Sequence, residues 1–146
     1  MQILRGRLLD LENGTMIPEG LVAWQEDTIL YAGEAGGFVI PGSAEVLDAE
    51  GTILPGFIDC HAHLTGEEDA GEYAGGKLFG DQLLGAAWQL GRILDSGFTG
   101  VRDMSEAGLY LSRAVERGVL EGPRIVPGGK VLGITSGHVD SCIEQD

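Results

Sequence analysis

The sequence predicts an α/β protein in which a segment of short strands precedes a series of parallel βα units. From residue 52 onward, strand-like runs alternate with helical periodicity in the order strand, helix, strand, helix, strand. Before that point, short apolar runs recur without a helical period, which favours a small sandwich or partial barrel. We therefore expect a small β-domain over residues 1–53 and βα units over residues 54–146.

The β-domain is predicted to contain four short strands separated by turn residues. Asn13-Gly14 is a turn dipeptide, and Glu26-Asp27 separates two apolar runs at the spacing of a tight hairpin. A loop rich in glycine and proline then leads to the last strand. The predicted strands cover residues 3–9, 20–25, 28–32 and 44–48.

The βα region begins with an apolar, β-rich strand over residues 52–64, followed by a long loop to residue 80. The first helix is predicted over residues 81–97, because apolar residues recur there at steps of three and four. Asp81 is its expected N-cap and Gly97 its expected stop.

The remaining elements of this region repeat the same order. A second strand covers residues 98–104, a second helix covers 105–118, and a third strand begins near residue 122. Consecutive strands joined through helices are expected to be parallel, with right-handed crossovers.

Composition excludes several classes of partner. Nine basic and 23 acidic residues give a net charge of −14, which repels nucleic acids and anionic membranes. Two cysteines, Cys60 and Cys142, can form one bridge at most, which favours a reducing compartment. Arg5 and Arg7 interrupt the first apolar run, and no run is long enough to span a membrane. We expect a cytoplasmic protein.

The most informative segment is PGFIDCHAHL, residues 55–64. Strict alternation along a strand puts Asp59, His61 and His63 on one face, opposite an apolar face formed by Ile58, Cys60, Ala62 and Leu64. Two imidazoles on one face can bind one metal ion, and they lie at the strand end where α/β folds collect their ligands. The alternative is a pair of surface or hydrogen-bonded core histidines.

This segment closely resembles the first barrel strand of the amidohydrolase superfamily. The segments GFTGVRD (residues 97–103) and GPRI (residues 122–125) resemble the starts of the next two strands. The branch most similar in appearance contains imidazolonepropionase and prolidase-like Xaa-Pro dipeptidases. The resemblance implies the first three βα units of a (β/α)8 TIM barrel, preceded by a small, incomplete β-sandwich domain.

The resemblance also implies a chemistry. His61 and His63 would be metal ligands for a divalent ion, zinc by expectation, with one or two ions in the complete enzyme. The reaction would be hydrolysis of a C–N bond in a small amide or dipeptide-like substrate by a metal-activated water. The other ligands in the family come from later strands: a lysine on the fourth, histidines on the fifth and sixth, and an acid/base aspartate on the eighth.

Three further residues are weaker candidates. His138, in a loop that resembles a substrate-facing loop of the family, is expected to contact the substrate carbonyl; the alternative is an ordinary surface histidine. Asp103 ends the second strand, where it either supports the metal site or, like Ser105, caps the next helix. Asp59 would point deeper into the barrel and orient a ligand imidazole.

The three strands predicted here are fewer than the eight of a complete barrel. The 146-residue chain is therefore expected to be an incomplete and inactive fragment of the hydrolase. One alternative is a truncated, non-catalytic module that a partner chain or a second copy completes. Another is a deaminase of the same superfamily, because the first strands do not separate amide hydrolysis from deamination.

Overall fold

The computed structural model describes residues 1–65 and 78–134. The chain divides into two compact units, Met1–Pro55 and Gly56–Asp146. Among the described residues, no helix is both long enough and apolar enough to cross a membrane.

The first unit is a four-stranded sheet with the strand order β3-β2-β1-β4. Both β1 and β3 pair with β2 in antiparallel fashion, whereas β4 returns to lie parallel to β1. Each predicted strand is present, and each is longer than the sequence suggested. The observed bounds are β1 Gln2–Asp10, β2 Thr15–Gln25, β3 Thr28–Glu34 and β4 Glu45–Ile53.

The core of this unit is small and lies against a single sheet. Ile3, Leu21 and Ala23 are buried, and partly buried side chains that include Tyr31 and Phe38 pack on them. The expected domain is an incomplete sandwich, and the described residues of this unit form a single sheet. Part of its cover comes from the segment after β3, where Phe38 lies 5.1 Å from Tyr31 between ring centroids.

Two turns in this unit show how local chemistry fixes the chain direction. The Asp10 carboxylate accepts hydrogen bonds from the backbone N–H groups of Glu12 and Asn13 and from the Asn13 side chain. These bonds, the Asn13 side chain first, lower the pKa of Asp10. Gly14 follows with φ 64°, as the predicted turn requires, and Glu26 at the β2–β3 turn has φ 55°.

The second unit confirms the predicted α/β class. Three parallel strands form a sheet in the order β5-β6-β7, with a helix in each connection. The predicted strand over residues 52–64 is in fact two strands, because β4 ends in the first sheet before β5 begins in the second. The bounds are β5 Phe57–Ala62, α1 Phe79–Asp95, β6 Phe98–Asp103, α2 Ala107–Glu116 and β7 Arg124–Pro127.

The core of the second unit lies between this sheet and the two helices. Val101 and Ile125 from the strands meet Leu90 of α1 and Leu111 of α2, all of them buried. Leu83, Ala87 and Leu90 of the periodic set pack in this core, whereas Leu84 is exposed. Asp81 lies in the first turn of α1 instead of capping it, because the helix begins two residues earlier at Phe79.

The end of α1 follows the sequence prediction more closely. Gly97 has φ 90°, a conformation that favours glycine, and its N–H donates to the Leu94 carbonyl at 2.9 Å. The chain thereby leaves the helix and enters β6 at once. Trp88, on the outer surface of the same helix, is 68% exposed.

Glu26 has a positive φ, which is unfavourable for a residue with a Cβ, so we expect a glycine at this position to stabilise the first unit. The Glu26→Gly variant is expected to raise the free energy of unfolding by about 0.5–1 kcal/mol, because glycine adopts positive φ without a Cβ clash. Urea denaturation followed by Trp24 fluorescence measures this, in a Trp88→Phe background that removes the exposed second tryptophan. The matched control is Asp27→Gly, which lacks a positive φ and should be neutral or destabilising. Equal effects of the two substitutions would contradict the prediction.

Candidate metal centre

The two histidines of the motif lie at the carboxyl end of β5. His61 is within the strand, His63 follows it, and both side chains are exposed. Their ring centroids are 5.3 Å apart and the ring planes are inclined by 51°. Two imidazoles that bind one zinc ion at about 2 Å, with a tetrahedral angle between them, have centroids roughly 5 Å apart. The centroid separation of the pair is therefore compatible with a single divalent ion.

The strand that carries the pair contains a β-bulge. Asp59 pairs with Val101 of β6, but Ala62 pairs with Asp103, so β5 uses one more residue than β6 over this stretch. The bulge breaks the strict alternation on which the predicted faces were based. Of the four residues expected on the apolar face, Ala62 and Leu64 pack in the core, whereas Ile58 and Cys60 are exposed.

Asp59 lies on the opposite side of the sheet from the one predicted. With Val101 and Ala62 it lines a cleft of about 370 Å³ against Arg92 and other residues of α1. Its carboxylate accepts a hydrogen bond from the backbone N–H of His61 at 2.9 Å. The expected contact with a ligand imidazole is thus replaced by a contact with the main chain, because the bulge turns Asp59 toward the helix.

Asp103 is fully buried at the end of β6. Its Oδ1 accepts the N–H of Leu64 at 2.9 Å, and its Oδ2 accepts the hydroxyl of Ser105 at 2.7 Å. It does not cap α2, whose N-cap residue, Glu106, makes no side-chain capping bond. The link to Leu64 had no local signal in the sequence, since the two residues are 39 positions apart.

No third ligand joins the histidine pair within residues 1–65 and 78–134. In that part of the chain, no group of three or more His, Cys, Asp or Glu side chains is arranged to hold a metal ion. His138 and Cys142 lie outside the described residues, as does most of the loop predicted between residues 65 and 80. Within the described residues, the candidate site is therefore the histidine pair alone.

Comparisons with known proteins identify relatives of this chain. No family model matches the chain. An imidazolonepropionase from Methylobacterium sp. is 33% identical over 149 aligned positions, which cover 81% of this chain and 37% of that protein. An ochratoxinase from Aspergillus niger is 31% identical over 94 residues, covering 60% of this chain and 19% of that protein. The chain thus spans between about a fifth and a little over a third of these relatives.

A solved structure agrees with the sequence relatives. A prolidase crystallised with N-methylphosphonate-L-proline superposes with a TM-score of 0.81 at 35% identity, covering 95% of this chain and 34% of that one. A second structure, described as an amidohydrolase, gives a TM-score of 0.81 at 32% identity over the same share of this chain. Because the sequence relatives and the solved structures agree, the chain belongs to the amidohydrolase superfamily.

Proposed function

We propose that this chain supplies two metal ligands, His61 and His63, of a metal-dependent hydrolase that cleaves a C–N bond. The observation that carries the proposal is the ring separation of 5.3 Å at the carboxyl end of a parallel strand. When bound, a divalent ion such as zinc supplies a water of lowered pKa and polarises the scissile carbonyl. The two imidazoles of this chain hold that ion.

The proposed substrate class is a small amide or dipeptide-like molecule. The solved relative at 35% identity is a prolidase bound to a phosphonate derivative of proline. The relatives named ochratoxinase and imidazolonepropionase share 31% and 33% identity with this chain. His138 is proposed to contact the substrate carbonyl, following the expectation from its loop.

We also propose that the second unit is the first part of a TIM barrel that other strands complete. The described sheet has three strands, with β5 and β7 at its edges. Ile58 on β5 is 71% exposed and Val126 on β7 is 53% exposed. Unpaired edges and exposed apolar side chains of this kind are normally covered by further strands. The remaining ligands and the acid/base aspartate would come with those strands.

A non-catalytic module completed by a partner chain is the second candidate, and the same open edges favour it. The two candidates differ in what the completed assembly does. Completion by the later barrel strands should give hydrolysis, whereas completion by an unrelated partner should give a stable complex without turnover. Size-exclusion chromatography with light scattering, followed by an assay for proline release from an Xaa-Pro dipeptide, separates them.

Zinc binding by the purified chain should depend on both histidines. His61→Ala and His63→Ala are each expected to weaken Zn²⁺ binding by at least about tenfold, because a single imidazole then remains. Isothermal titration calorimetry measures the change. Cys60→Ser is the matched control, since Cys60 is exposed beside His61 and should leave the affinity unchanged. Equal binding by the two histidine variants and the parent chain would refute the ligand assignment.

The purified 146-residue chain saturated with Zn²⁺ is expected to release no proline from an Xaa-Pro dipeptide. Two imidazoles leave the ion under-coordinated, because no group of three or more possible metal ligands occurs among residues 1–65 and 78–134. Stoichiometric metal together with full turnover by this chain would show that it is not an incomplete fragment.

The role of His138 is tested in a complete enzyme that contains this chain. His138→Ala should lower kcat/KM for the dipeptide by about tenfold or more, because a polarising contact to the carbonyl is lost. Its metal content should stay at the parental value. Unchanged turnover in this variant would remove His138 from the substrate site.

A further inference from the structure

Two carboxylates accept main-chain N–H groups at the two ends of the segment that carries the histidine pair. Asp59 Oδ1 accepts the N–H of His61 at 2.9 Å, and Asp103 Oδ1 accepts the N–H of Leu64, the residue after His63, at 2.9 Å. We propose that Asp59 and Asp103 are positioning residues that set the spacing of the two imidazoles through the backbone. This inference rests on the proposed role of the histidines as ligands.

The hydrogen bond accepted by Asp59 stabilises the bulge that sets the direction of the His61 side chain. A carboxylate that binds the N–H two residues ahead favours a local turn, and a β-bulge is such a turn within a strand. The extra residue of β5 falls between Asp59 and Ala62, the interval that contains His61. Loss of the carboxylate acceptor would free this interval to return to regular pairing, which changes the direction of the His61 side chain.

The contact made by Asp103 fixes the other end of the pair. This side chain is fully buried, and each of its two oxygens accepts one hydrogen bond, from Leu64 and from Ser105. Its position is also fixed by packing, because a Cβ added at Gly108 would lie 2.5 Å from Oδ2. The Asp103 carbonyl accepts the N–H of Gly128 at 2.7 Å. The acceptor that holds Leu64 is therefore rigid.

These carboxylates differ in one testable way from those that usually support metal-binding histidines. The usual partner accepts the second imidazole N–H and thereby raises the basicity of the ligand, an effect that is strongest when the acceptor is charged. Asp59 and Asp103 instead accept main-chain N–H groups, for which any oxygen in the same place suffices. An asparagine at either position should preserve the clamp, and an alanine should not.

The test compares Asp59→Asn with Asp59→Ala in the purified chain. Asp59 is only partly buried, so both variants should fold. Cu²⁺ is the probe, because it binds nitrogen ligands most tightly among the divalent ions. Asp59→Ala is expected to weaken Cu²⁺ binding by about tenfold, the usual effect of losing a supporting group. Asp59→Asn should remain within about twofold of the parent chain, because its amide oxygen makes the same turn.

A metal-free readout accompanies the titration. Nuclear Overhauser contacts between the His61 and His63 rings, together with amide exchange at His61 and Leu64, report the clamp directly. Asp59→Ala should lose the ring contacts and expose the His61 amide, whereas Asp59→Asn should retain both. Asp103→Asn should likewise protect the Leu64 amide. If Asp103→Ala does not fold, Ser105→Ala should accelerate Leu64 exchange by releasing one of the two bonds to the carboxylate.

Two results would overturn the inference. Either Asp59→Asn loses as much affinity as Asp59→Ala, which would make charge the operative property, or Asp59→Ala keeps parental ring contacts and affinity. The proposed function fails in a different way, namely when a His61→Ala, His63→Ala double variant binds Cu²⁺ as well as the parent. In that case the ring contacts and amide exchange still decide whether the clamp positions the pair.

Discussion

The hydrogen bonds accepted by one buried residue, Asp103, hold together the carboxyl ends of the strands in the second sheet. A charge without solvent contact must be paired, and Asp103 meets this requirement by accepting hydrogen bonds from Leu64 and Ser105. Its main-chain carbonyl accepts the N–H of Gly128 beyond β7. The ends of three strands are thereby tied to one residue. These bonds also restrain the histidine pair, because Leu64 directly follows His63.

The central strand of the same sheet is paired on both of its edges, whereas the outer strands each have an unpaired edge among the described residues. β6 pairs on both edges, whereas within the described residues β5 and β7 each pair on one edge only. Apolar side chains at these edges would favour association. The net charge of −14 opposes it through repulsion between copies. A partner able to complete the sheet must therefore supply strand edges that pair closely enough to exceed this repulsion.

The elements of the fold follow from local patterns, and the sequence predicted them well. Apolar spacing located both helices of the second unit, and Gly97 ended the first of them. The histidine pair could also be found, because the two residues keep the same face on either side of Ala62. The incomplete sandwich stays a prediction: alternating residues show that one face of the described sheet is covered, but not whether a second sheet or a loop covers it.

The surroundings of the histidine pair could not be predicted, since they depend on pairing between distant segments. The bulge in β5 is defined only relative to the register of β6, about 40 residues later in the chain. Strict alternation therefore put Asp59 and Cys60 on the wrong faces. Asp103 had the local signature of a helix cap, and nothing near it in sequence pointed to Leu64. The pattern of one sequence predicts how side chains alternate along a strand, but not which strand pairs with it or in which register.

When proposed ligands are positioned through their backbone, the geometry of a metal site is set separately from its affinity for the ion. Fixing a residue's backbone costs about 1–2 kcal/mol, and here that cost is met on folding, before any ion binds. The carboxylates occupy main-chain donors, so neither hydrogen bond takes up an imidazole nitrogen. The described unit thus determines the geometry of the two proposed ligands, whereas the number of ligands, and with it the affinity for an ion, depends on other residues. A chain of this kind can present a correctly spaced pair and still bind its ion weakly.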